Sequence, residues 1–196
     1  MERNRRQLRF YVATLWIVFF MLQAGDLGAQ TDPTPLRKNR FGLSTVIGNT
    51  YDPVNDIAFV LLNGFALLDR ERLCGYKIPE WLRLKVEGNL GSTITPYKKL
   101  MASADVLALF YLKSLCFNTL RLYAEGGAGV VYTDFQIKGQ GLRFNFDPLF
   151  GLGSEIKTAS GAVYLITFRI QHFSNGSLNH ENAGLNSLSL VVGKFF

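Results

Sequence analysis

A histidine and a serine two residues apart, His172 and Ser174, are the pair in this chain best suited to chemistry. A serine hydroxyl is a poor nucleophile until an imidazole accepts its proton, and the imidazole needs a third group to hold its tautomer. Asn186 is the candidate for that third group, and Glu181 is an alternative acid between them. Asn175, or nearby backbone N–H groups, could donate to a tetrahedral oxyanion. The same segment has an ordinary reading. His-x-Ser is common by chance, Asn175-Gly176 is a turn signal, and Asn175-Gly176-Ser177 matches the glycosylation sequon.

These groups act together only if strands bring them to one face. Eight candidate strands follow one another, roughly over 40–50, 57–68, 81–93, 103–113, 118–133, 141–156, 161–174 and 185–196, with polar or glycine-containing breaks. Side chains on a strand alternate faces. In 81–91 Leu82, Leu84, Val86 and Leu90 alternate with Arg83, Lys85, Glu87 and Asn89; in 162–171 Tyr164, Ile166, Phe168 and Ile170 alternate with Thr167, Arg169 and Gln171. By this parity His172 and Ser174 share the apolar face of Phe168 and Ile170, and Asn186 shares that of Leu188, Leu190, Val192 and Phe196.

A soluble barrel would turn the apolar faces inward; a membrane barrel inverts this, with polar residues inside. Mixed charges favour the inverted choice, because Arg83, Lys85, Glu87, Arg121, Glu125, Arg143, Asp147, Glu155 and Arg169 can neutralise one another in a narrow lumen. An eight-strand interior is about filled by side chains, so the lumen is expected to be a packed polar core and not a pore. The ending Gly193-Lys194-Phe195-Phe196 suits an interfacial girdle and resembles the C-terminal signature of outer-membrane barrels. The fold class expected is therefore all-β, an eight-stranded antiparallel transmembrane β-barrel over 40–196. An even strand count puts both ends of the barrel in the periplasm, and the segments after strands one, three, five and seven outside.

Residues 1–29 read as a cleaved signal peptide, with Arg3, Arg5, Arg6 and Arg9 ahead of an apolar run from Phe10 to Leu22. That run is short for a membrane helix, which needs about 20 residues; a retained anchor is the alternative. Residues 30–39, with Pro33 and Pro35, form a short periplasmic leader. The formal net charge is +6, but four arginines belong to the signal and no basic tract with interleaved aromatics exists, so a nucleic-acid partner is not expected. Cys74 and Cys116 fall near periplasmic turns, where a disulfide is permitted and two free thiols are the alternative. Two cysteines and two histidines without metal-type spacing argue against a zinc site, and hydrolysis by serine and histidine requires no cofactor.

His172-Phe173-Ser174-Asn175, followed by Asn182-x-Gly184-x-Asn186, resembles the end of the lipid A 3-O-deacylases of the PagL type. Tyr123 to Val130, Phe144-Asn145-Phe146-Asp147 and Gly151-Leu152-Gly153 look similar too, so the resemblance covers roughly the C-terminal 80 residues. It implies an eight-stranded Gram-negative outer-membrane esterase that removes an ester-linked acyl chain from lipid A of lipopolysaccharide, its site at the outer leaflet. It implies Ser174 as nucleophile, His172 as general base and Asn175 as oxyanion-hole candidate. Two departures stand out. The family's acidic residue falls on Asn186, and the family tends to have glycine where Ser177 stands. Two rival readings remain open on the residues alone: a non-catalytic outer-membrane barrel with a structural or adhesive role, and a soluble exported barrel for a hydrophobic ligand.

Overall fold

The computed structural model describes residues 39–53, 56–68, 79, 81–117 and 119–196. The expected signal segment, residues 30–38 of the leader, Cys74 and the side chain of Cys116 lie outside what is described, and so does any pairing of the two thiols.

The strand segments among the described residues are β1 (Arg40–Asp52), β2 (Ala58–Leu68), β3 (Leu82–Thr95), β4 (Leu100–Cys116), β5 (Leu120–Thr133), β6 (Phe144–Phe146), β7 (Leu149–Lys157), β8 (Val163–Phe173) and β9 (Leu185–Phe195). Each pairs antiparallel with its neighbours, β1 pairs with β9, and the β4–β5 ladder closes the sheet on itself. β6 and β7 are one strand interrupted at Asp147-Pro148. Val130 faces Phe146 and Gly127 faces Leu149, so both pieces keep one register against β5. Proline has no N–H to give to a ladder, which breaks the strand without shifting it. The barrel is therefore eight-stranded, as the alternation predicts, and the sixth strand expected over 141–156 begins at Phe144.

The inverted arrangement holds. Phe41, Leu43, Leu62, Leu90, Val106, Leu152, Phe168 and Leu188 are exposed on the outer wall, where lipid covers them. The charges lie inside. Arg169 grips Glu87 through two bonds of 2.6 and 2.9 Å and also donates to Glu125, while Lys85 reaches Glu125 at 2.5 Å and Glu87 at 3.2 Å. Asn89 adds a branch to Asn63 and Asp105, at 2.7 and 3.0 Å.

The lumen is not polar throughout. Phe59, Met101, Val131, Phe173 and Leu185 fill the end nearest the 174–184 segment. Phe65, Leu67, Leu109 and Phe195 fill the opposite end, where Phe65 meets Phe195 edge-on at 5.1 Å. Apolar layers thus flank the central network of Lys85, Glu87, Glu125 and Arg169 on both sides. Arg143 departs from the sequence expectation: it lies outside the lumen, exposed and paired with Asp134 at 2.6 Å.

Arg169 holds two buried carboxylates at once. Removing one partner of a buried ion pair leaves charge uncompensated, at a cost of about 3–5 kcal/mol. Arg169→Met is expected to lose stability of that order, read from urea unfolding out of lipid vesicles, while the wild-type chain stays in the detergent-extractable membrane fraction.

Candidate active site

β8 and β9 are joined by the 174–184 segment, so their facing ends carry most of the chemistry. His172 and Asn186 are direct cross-strand partners. Their side chains point outward from the barrel, since Gln171, Phe173, Leu185 and Ser187 on either side are buried in the lumen. The imidazole Nδ1 and the Asn186 Oδ1 are 2.6 Å apart. An amide oxygen only accepts, so Nδ1 carries the proton and Nε2 is left with the lone pair.

Asn186 has a second partner. Its Nδ2 donates to the Asp52 carboxylate at 3.0 Å. Asp52 ends β1, which pairs with β9 on the side away from β8. By simple alternation Asp52 would share the inward parity of Thr50, which is buried. A bulge between Thr50 and Asp52 changes this: Thr50 faces Ser187 and Asp52 faces Asn186, with Tyr51 as the extra residue. An extra residue in one strand re-aims the side chains beyond it, so Asp52 emerges exposed on the outer wall. Sequence parity missed Asp52 because a bulge leaves no periodic trace; Tyr51-Asp52-Pro53 reads only as a strand end.

Ser174 continues the outer face of β8 by two positions. It bridges to Phe146, with N–H···O=C bonds of 2.8 and 3.2 Å in both directions. Pro148 takes the His172 N–H at 3.0 Å. The strand interrupted at Pro148 thus runs directly beside His172 and Ser174. Among the described residues the Ser174 hydroxyl has no hydrogen-bond partner.

Gly184 explains the spacing of Asn182-x-Gly184-x-Asn186. A Cβ on Gly184 would stand 2.5 Å from Cε1 of His172 and 3.1 Å from Nε2. The backbone passes close to the ring, and glycine leaves room for it. The turn beyond Ser174 is left-handed at two successive residues, Gly176 (φ 60°) and Ser177 (φ 66°). Ser177 occupies a conformation that glycine adopts more cheaply, which gives a backbone reason for the glycine preference there.

Asn175 does not face Ser174. It has the opposite parity, is buried, and its Nδ2 donates to the carbonyls of Gln140 and Glu181 at 3.0 and 2.7 Å. Its backbone N–H donates to Asn182 Oδ1 at 2.8 Å. The side chain expected to serve an oxyanion instead ties the 174–184 segment to the 134–143 segment, a junction reinforced by Ala183 N–H to Gly139 carbonyl at 2.6 Å. Glu181 is exposed and contributes its carbonyl, not its carboxylate, to that junction. The carboxylate in the row with His172 is that of Asp52.

A groove of about 280 Å³ opens beside the imidazole on the outer wall. Tyr51, Pro148, Phe150 and Ile170 line it, with His172 and Asn186 at its end. Its walls are mostly apolar and it faces the lipid side, so it suits a hydrocarbon chain. Among the described residues no cluster of His, Cys, Asp and Glu could hold a metal ion.

No curated protein matches the chain in sequence. Among solved structures, the outer-membrane enzyme PagL aligns at 21% identity with a TM-score of 0.54, covering 78% of this chain and 97% of that one. Neisserial surface protein A aligns at 10% identity with a TM-score of 0.59, over 80% of this chain and 95% of that one. Both share the fold. Residues 79–195, more than half of the chain, match the model of one family, described as lipid A 3-O-deacylase (PagL). The segment takes in β3 to β9 with His172, Ser174 and Asn186, and this outer-membrane barrel belongs to the lipid A 3-O-deacylase (PagL) family.

Proposed function

We propose that the chain hydrolyses an ester-linked acyl chain of lipid A in the outer leaflet, by a serine–histidine mechanism. The observation that carries this reading is the imidazole turned outward beside an apolar groove, its Nδ1 held by Asn186 at 2.6 Å. A polar pair on a lipid-facing wall has no packing reason to be there, since polar groups cost free energy in an apolar medium. An ester whose acyl chain stays in the bilayer can reach this wall sideways.

In this mechanism Ser174 Oγ attacks the ester carbonyl carbon, and its proton passes to Nε2 of His172. The carbonyl electron pair moves onto oxygen to give a tetrahedral oxyanion. The oxyanion's donors are assigned to backbone N–H groups of the turn after Ser174, since the Asn175 side chain is committed elsewhere. Collapse of the oxyanion breaks the C–O bond, and the protonated imidazole gives its proton to the departing sugar oxygen, which leaves as a hydroxyl. Water then attacks the acyl-serine, with His172 again as base, and releases the fatty acid. Phe150 and Ile170 offer the acyl chain an apolar wall beside the imidazole.

Mass spectrometry of lipid A from cells carrying the wild-type gene or a variant tests the reading. Ser174→Ala and His172→Ala are each expected to lower deacylation by about 10³-fold or more, with the double variant hardly worse, because the residues act as a unit. Lipid A left unchanged by the wild-type chain, or full activity in Ser174→Ala, would overturn it.

Gly184→Ala is a subtler probe. The added methyl forces the ring to move, and a displacement of about 1 Å at a catalytic group can cost on the order of 10²-fold. Loss of that size is expected in kcat, with the barrel still heat-modifiable on gels.

A further inference from the structure

We infer that Asp52 is a positioning residue of the site: through Asn186 it fixes the tautomer of His172 and supplies the negative charge that Asn186 itself lacks. The inference rests on the serine–histidine reading for its catalytic consequence, but not for its structural one.

The argument runs along a row of three side chains on adjacent strands, Asp52 on β1, Asn186 on β9 and His172 on β8. An asparagine between two partners can in principle face either way, since its oxygen and nitrogen occupy equivalent positions. A carboxylate removes that freedom. It only accepts hydrogen bonds, so the Asn186 amide must turn Nδ2 toward Asp52 and Oδ1 toward the ring. Oδ1 in turn accepts from Nδ1–H, and Nε2 is free to take a proton. When it does, the imidazolium has an anion one amide away, joined to it by hydrogen bonds of 2.6 and 3.0 Å. The amide acts as a spacer between the base and its counter-charge.

The bulge is the second, independent observation. Without it Tyr51 would oppose Asn186, and Asp52 would point elsewhere. Bulges next to active sites commonly re-aim a side chain. Asp52 also lies before residues 79–195, so the counter-charge comes from a part of the chain that the family match does not cover.

Asp52→Asn replaces an obligate acceptor by a group of the same shape that can donate as well. It is exposed at the end of a strand, so the barrel is expected to fold. In lipid A deacylation kcat should fall by about tenfold or more, as for loss of an orienting bond, with KM little changed. Asn186→Glu puts a carboxylate directly on the ring and beside Asp52. In that background the two acids repel, so Asp52→Asn should be neutral or raise the rate. A structural role for Asp52 would not reverse in this way.

The tautomer can be read without turnover. In micelles, nitrogen-15 spectra of the His180→Gln protein report the ring of His172 alone, since the chain has two histidines. The Nδ1-protonated tautomer should dominate with Asp52 and give way to a mixture with Asp52→Asn. An unchanged tautomer would overturn the inference whether or not the protein is active. An inactive wild type with an Asp52-dependent tautomer would sink the deacylase reading and leave this one standing.

Discussion

The full lumen is the constraint on which the rest of this molecule depends. Closing eight strands leaves an interior about as wide as the side chains that line it. Here Arg83, Arg169, Phe59 and Phe173 are among the largest fully buried side chains, and apolar layers close both ends. A substrate with long acyl chains has no way in. Any chemistry on such a ligand must be done on the outer wall, where the surroundings are hydrocarbon and each polar group has to find its partner sideways. The row of Asp52, Asn186 and His172 is a solution of that kind, because each member bonds to the next across one strand spacing.

The same constraint sets the price of precision. Neighbours on the wall come from different strands, so their alignment is a matter of register. One residue of slip would turn every side chain of a strand to the other face. The interior ion pairs help to guard against this. Arg169 on β8 is tied to Glu87 on β3 and Glu125 on β5, and Arg40 on β1 to Glu155 on β7 at 2.9 Å. These bonds cross the barrel and lock strands that are not adjacent. The network inside and the site outside thus share backbone: Arg169 and His172 are three residues apart on β8.

Parity was legible in the sequence and register was not. Alternation placed His172, Ser174 and Asn186 on the outer face, and put Arg83, Lys85, Glu87 and Arg169 inside, because it depends only on the twofold repeat of a strand. It could not foresee Asp52, whose outward direction comes from an unpatterned extra residue at Tyr51. It assigned Arg143 to the lumen by parity, but Arg143 directly precedes β6 at the rim, where its side chain turns out to pair with Asp134. Asn175 went astray for another reason. Adjacency to Ser174 suggested a shared task, yet adjacent residues on an extended chain point to opposite sides, and Asn175 bonds inward to Gln140 and Glu181. Parity gives a direction to each residue within a regular strand, and only the packing gives one to Asp52 and Asn175.

An amide at position 186 looks like a loss when only the base and its immediate neighbour are considered. On a lipid-facing wall the comparison changes. A carboxylate is costly to hold in a half-buried, apolar setting, and an amide much less so. Asn186 is half-buried, with exposed Leu188 two residues along β9, whereas Asp52 is exposed at the end of β1. The arrangement puts the neutral group where hydration is poorest and the charged group where solvent or headgroups can reach it. The directionality of two hydrogen bonds then carries the influence of the charge inward to the ring. What a direct carboxylate would achieve by contact is here divided between two strands, and the division works only while the bulge at Tyr51 keeps Asp52 in the row.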